Sequence, residues 1–117
     1  ALNALGYILT VRTDQLDEAR THIEKALSLD PENPAILDSM GWILFRQGDN
    51  QGALEYLSRA WAIYPDPEVA THYGEVLWVT GNEEQARVVW DEALDEDPNH
   101  DILNETIERL TRNGGNQ

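Results

Sequence analysis

Residues 34–65, PAILDSMGWILFRQGDNQGALEYLSRAWAIYP, carry two helical signatures separated by one turn. Leu37, Met40, Ile43 and Leu44 recur at three- and four-residue steps, and Leu54, Leu57, Ala60 and Trp61 do the same. That is the period of an amphipathic helix. Pro34 opens the first segment, where a missing N–H is no loss. Gly48 lies between the two, where a positive φ costs glycine nothing, and Asp49 after it is an expected N-cap. Pro65 stops the second segment.

The same punctuation recurs on both sides. Ala53 has counterparts at Ala19 and Ala86, 34 residues before and 33 after. Ala60 has Ala26 and Ala93, Pro65 has Pro31 and Pro98, and Gly41 has Gly6 and Gly74. A period of about 34 residues marks stacked helical units that share one core. First helices are expected over 2–11, 35–46 and 68–79, and second helices over 16–29, 51–63 and 83–96. Gly81 and Asn82 repeat the turn of Gly48 and Asp49, and Asn82 with Gln85 has capping-box spacing. In each unit a glycine precedes an alanine by 12 or 13 residues, and a second alanine follows after seven. Small side chains at facing positions let two helices approach closely. A large side chain at Gly41 or Ala53 is expected to cost about 1–3 kcal/mol.

These residues resemble three consecutive tetratricopeptide repeats. Leu5, Gly6, Leu9, Ala19, Ile23, Ala26 and Pro31 carry the first; Met40, Gly41, Leu44, Ala53, Leu57, Ala60 and Pro65 the second; Tyr73, Gly74, Leu77, Ala86, Trp90, Ala93 and Pro98 the third. The resemblance covers residues 1–100 and implies an all-α fold, an α-solenoid curved into a right-handed superhelix. The expected single domain, 1–112, divides into repeats 1–33, 34–66 and 67–100 and a C-terminal capping helix, 101–112, with 113–117 as a disordered tail. In the capping helix Ile102, Leu103, Ile107 and Leu110 form a narrow apolar stripe, and Glu108 takes the recurring glycine slot. The first unit has one extra residue near Thr13 and Asp14, which predicts a looser turn. The second is one residue short at Asp66, which predicts a tighter junction. The chain opens with Ala1 and lacks the residues that normally begin such a repeat. Upstream repeats are therefore expected to be missing, with Leu2, Leu5, Ile8 and Leu9 partly open.

Composition narrows the partner. Of 117 residues, 22 are Asp or Glu and 8 are Lys or Arg, a net charge of −14. Such a surface repels nucleic acid and anionic membranes and favours basic partners, or serves solubility alone. No apolar run is long enough to span a bilayer. With no cysteine there is no disulfide or thiol chemistry in this segment. His22, His72 and His100 lack metal-ligand spacing, and neither a nucleophile elbow nor a phosphate loop is present. Asp95, Asp97, Asn99 and Asp101 alternate like the opening of a calcium loop, but Pro98 interrupts them and Thr106 replaces the bidentate glutamate. No catalytic residue, cofactor or metal is expected.

In the family the first helices line a concave groove. The slots so implied include Asn3, Tyr7, Thr10 and Val11, then Asp38, Trp42, Phe45 and Arg46, then Thr71, Glu75, Trp78 and Val79. Tyr7, Trp42, Phe45 and Trp78 would form an aromatic track, with Asp38, Glu68, Glu75 and Glu105 beside it. Buried aromatics dominate interface energies, so this groove suits an apolar, basic segment of a partner protein. Trp61 and Trp90 read as core. Phe45 and Trp78 suit groove-wall packing or ligand contact, Asp38 and Glu75 solvated charge or contact, and Trp42 a contact. The carboxylate-gripping lysine and asparagine slots of cochaperone repeats keep only Asn3, so an acidic C-terminal peptide is not expected.

The function expected is a noncatalytic interaction scaffold, the C-terminal part of a longer protein. The alternative is a structural cap that self-associates through Leu2, Leu5 and Leu9 when isolated. A third reading is the regulatory end of an enzyme encoded upstream. ALNALGY, DSMGW and PDPEVATHYGEVLW are also similar to the C-terminal repeats of Gram-negative tetratricopeptide outer-membrane lipoproteins, a family that includes a periplasmic protease adaptor. That resemblance implies a periplasmic, outer-membrane-associated location, without direct membrane contact by this segment; otherwise a cytoplasmic one is expected.

Overall fold

The computed structural model describes the backbone of residues 13–115 and the side chains of residues 15–112. The described residues form six α-helices and no strand: α1 (Thr13–Leu29), α2 (Pro34–Arg46), α3 (Asn50–Ile63), α4 (Pro67–Val79), α5 (Glu83–Glu96) and α6 (Asp101–Gly115). The helix expected over 2–11, with Leu2, Leu5, Leu9 and Tyr7, lies outside the described residues.

Local chemistry sets most boundaries. Asn33 caps α2, its side-chain oxygen accepting from Ala35 N at 2.9 Å and Ile36 N at 3.3 Å, with Pro34 at the first position. Asp66 caps α4 in the same way, accepting from Val69 N at 2.8 Å ahead of Pro67. Asp49 caps α3 through Gly52 N at 2.9 Å. Tyr64 and Asp97, each just before a proline, are extended with φ −146° and −144° and end α3 and α5, because a following proline disfavours the helical region. Residues 64–66 join α3 to α4, against four residues at each of the other two unit junctions. The junction at Asp66 is therefore the tighter one, and Asp66 is both terminator and cap.

The turns inside the units close by one device. Gly48 and Gly81 both have φ +91°. Gly48 N bonds to Phe45 O at 3.0 Å and Asp49 N to Leu44 O at 2.8 Å; Gly81 N bonds to Trp78 O at 3.1 Å and Asn82 N to Leu77 O at 2.8 Å. This paired bonding ends a helix with a left-handed residue. A Cβ at either glycine would meet no atom within 4 Å, so conformation alone sets the penalty. Gly48→Ala and Gly81→Ala should each lower stability by about 1 kcal/mol in urea unfolding, and no loss at either would contradict the strained turn.

The capping box at Asn82 does not form. The backbone N–H that Gln85 would cap is already bound to Leu77 O. Asn82 Nδ2 turns to Thr80 Oγ1 at 3.0 Å, and Gln85 Nε2 donates to the Tyr73 hydroxyl at 3.3 Å. Glu83 and Glu84 in the first turn of α5 meet its positive end instead. α1 begins at Thr13, so Thr13 and Asp14, near which a looser turn was expected, lie within the helix; the turn before them lies outside the described residues.

The helices pack in two rows. α2 rests on α1, α3 and α4, and α4 on α3, α5 and α6. Thus α2, α4 and α6 lie side by side with α1, α3 and α5 behind them. The main core runs from Met40 and Leu44 through Leu57, Tyr73, Val76 and Trp90 to Leu103 and Leu110, and Leu37, Ala60 and Val69 form a smaller cluster. Ala53, Ala60 and Ala86 are fully buried, the close approach that the recurring small residues require. Trp90 is 2% exposed, and its indole N–H has no hydrogen-bond partner. Trp61 is half-buried against both clusters.

α6 sits rotated from its expected face. Leu103, Leu110 and Thr106 are buried and Ile107 packs beside them, while Ile102 is 61% exposed. Packing on α4 selects the 103–106–107–110 stripe, so a threonine takes the slot assigned to Ile102. Residues 113–115 continue the helix rather than belonging to a tail.

Candidate partner-docking site

On α2, Asp38, Trp42, Phe45 and Arg46 follow one another at steps of four, three and one, as Thr71, Glu75, Trp78 and Val79 do on α4. Such spacing puts each set on one helical face. The same register continues on α6 through Glu105, Arg109 and Arg112.

Neighbouring units lock two of the carboxylates. Asp38 Oδ1 lies 2.9 Å from His72 Nδ1, and Glu75 Oε1 lies 2.8 Å from Arg109 NH2. Both acidic side chains are only 14% exposed. For the imidazole to donate to the carboxylate, its proton sits on Nδ1. Asp38 and Glu75 are thus inter-repeat fasteners, while Glu68 and Glu105 remain exposed. Neither His72 nor Arg109 was among the expected site residues. The signal was present: each lies 34 residues after its carboxylate, one repeat length.

The aromatic residues meet in two groups. Trp42 stacks on His72 with ring centres 4.2 Å apart and planes at 22°, and lies 5.2 Å from Phe45. The Asp38 bond holds the imidazole that holds the indole. Trp42 and Phe45 are half-buried and pack against the core. Trp78 lies 5.5 Å from Trp90, with the Arg87 guanidinium 5.1 Å from its ring centre. Val79 is 49% exposed. Arg46 is half-buried at the end of α2. Thr71 is buried, and its hydroxyl donates to Pro67 O at 2.7 Å within its own helix. Tyr7 lies outside the described residues.

Of the other two histidines, His100 opens α6, its Nδ1 accepting from Leu103 N at 3.1 Å, and His22 is exposed on α1. Among the described residues no three His, Cys, Asp or Glu side chains gather to hold a metal, and no helix is long and apolar enough to cross a membrane.

Burial raises the Tyr73 phenol above its ordinary value of 10.0. Desolvation disfavours the phenolate, so the folded state keeps a proton that the unfolded state loses. Its contribution to stability should be level below about pH 10 and fall as pH rises through the interval between the unfolded and folded values. A titration at 295 nm should show a component ionising above pH 10 that Tyr73→Phe removes. An unchanged curve in Tyr73→Phe would contradict the burial.

Helix pairs recurring every 33 or 34 residues and packed in two rows define an α-helical repeat solenoid. The chain belongs to the tetratricopeptide repeat family, whose model matches residues 11–71 and again 44–104. It is 56% identical over 111 residues, 95% of its length, to TPR repeat-containing protein PA4667 of Pseudomonas aeruginosa. The chain spans 19% of the length of that relative. Tetratricopeptide repeats generally mediate protein–protein interaction.

Proposed function

We propose that this chain is a noncatalytic protein-interaction module that docks a partner segment on the face formed by α2, α4 and α6. The observation that carries this reading is Trp42: a half-buried indole fixed on one side by His72 and Asp38 and flanked by Phe45. Immobilised aromatics lose little entropy on binding and make effective anchors. Because Asp38 and Glu75 are already paired, the apolar part of the partner should meet Trp42 and Phe45. Its basic part should respond to the net charge of −14 and to the open Glu68 and Glu105. The test is capture of a partner by the wild-type chain and loss of capture by Trp42→Ala. Membership in a longer scaffold of the outer-membrane lipoprotein kind is a finer part of the same proposal.

One observation favours a structural role as well. α6 buries Leu103 and Leu110 and leaves Glu105, Glu108, Arg109 and Arg112 exposed, a face suited to closing a solenoid.

A further inference from the structure

A second concave surface lies where the third unit meets the second, at the C-terminal ends of α3 and α5. It is an open cleft of about 630 Å³ lined by Trp61, Tyr64, Asp66, Glu92, Asp95 and Glu96, together with the prolines of the α3–α4 junction. Tyr64 is 58% exposed. Glu92, Asp95 and Glu96 recur at three and four residues on one face of α5, all exposed, and make no ion pair with another described residue.

Two further facts bear on what would fill it. Helix C-termini carry partial negative charge and usually attract Lys, Arg or His to their last turn; neither α3 nor α5 has a basic residue there. The arginines on these helices are engaged elsewhere: Arg59 over the Tyr56 ring and against Pro31 O, Arg87 over Trp78. The cleft therefore joins unpaired carboxylates, two helix C-termini and two aromatic rings, and no cation lines it.

We infer that this cleft is a docking site for an arginine-bearing extended segment of a partner protein, distinct from the Trp42 face. A guanidinium can stack on Tyr64 or Trp61 while its fork reaches the α5 carboxylates, whereas an ammonium offers no plane to stack and no fork. A second copy of this strongly acidic chain is a poor occupant, since with 22 acidic against 8 basic residues like surfaces repel. The inference does not rest on the Trp42 face, and the two can fail separately.

The probe is an end-blocked tetra-arginine peptide, with its neutral tetra-citrulline counterpart as control. Calorimetry gives affinity, and the Trp61 indole N–H resonance reports the place of binding. Glu92→Gln, Asp95→Asn and Glu96→Gln together should weaken tetra-arginine binding about tenfold, and Tyr64→Ala should weaken it about threefold. Removing three carboxylates elsewhere, by Glu55→Gln, Glu83→Gln and Glu84→Gln, should change affinity less than about twofold. All these positions are exposed, so the variants should stay folded. Equal weakening by the two triple variants would reduce the effect to general attraction by an acidic protein and overturn the site. Binding without a shift at Trp61, or citrulline binding as well as arginine, would overturn it too.

Discussion

Gly74→Ala should destabilise the chain by about 1–3 kcal/mol, clearly more than Gly41→Ala. Both glycines sit where a first helix crosses its second helix, but they face different side chains. A Cβ on Gly41 would come 2.5 Å from Leu57 Cγ and 3.2 Å from Ala53 O. A leucine can change rotamer, so part of that overlap relaxes. A Cβ on Gly74 would land on the indole of Trp90. That ring is rigid, 2% exposed, and bounded by Trp78 at 5.5 Å. It can move only by opening the α4–α5 contact. Trp90→Leu should recover part of the loss in the Gly74→Ala background and cost stability in the wild type, a coupling that a double-mutant cycle in urea would expose. Equal penalties at the two glycines, or additive effects of Gly74→Ala and Trp90→Leu, would contradict this account of the crossing.

The second large effect concerns binding. Trp42→Ala should reduce affinity for a captured partner about 30-fold, the loss typical of a central tryptophan anchor. The substitution also removes the stack on His72 and packing against Phe45, so some stability falls with it. Trp42→Phe separates the two, because it keeps an aromatic face for His72 while shrinking the anchor. Its affinity should lie between wild type and alanine with the fold intact. His72→Ala should weaken binding less than Trp42→Ala, because it frees the indole without deleting it. If His72→Ala and Trp42→Ala weakened the partner equally while Trp42→Phe had no effect, Trp42 would be only a structural prop.

What could be read from the residues alone was what depends on neighbours in sequence. Pro34, Gly48 and Gly81 act through their own backbone limits, and the structure keeps each in its expected place. Asn82 makes no side-chain cap, and its amide donates to Thr80 Oγ1 instead, whereas Asp49 in the matching turn caps through Gly52 N; a spacing rule does not register that local partner. Ile102 and Thr106 exchanged places because the rotation of α6 is set by the surface of α4. The site was partly legible in the same way. Trp42 and Phe45 share a face by helical spacing alone. Their settings depend on the repeat length, which brings Asp38 to His72 and Glu75 to Arg109, and judging each charge singly concealed both pairs. Thr71 satisfies its hydroxyl within its own helix, as threonines on helices often do.

The central claim is that the face carrying Trp42 holds a partner. The measurement that tests it most directly is quantitative capture of binding proteins by the immobilised chain, at low and at high salt, beside Trp42→Ala and the triple variant of the α5 carboxylates. The account predicts a protein held by the wild type and by the triple variant, weakened by salt, and lost with Trp42→Ala. Equal capture by the wild type and Trp42→Ala would contradict it.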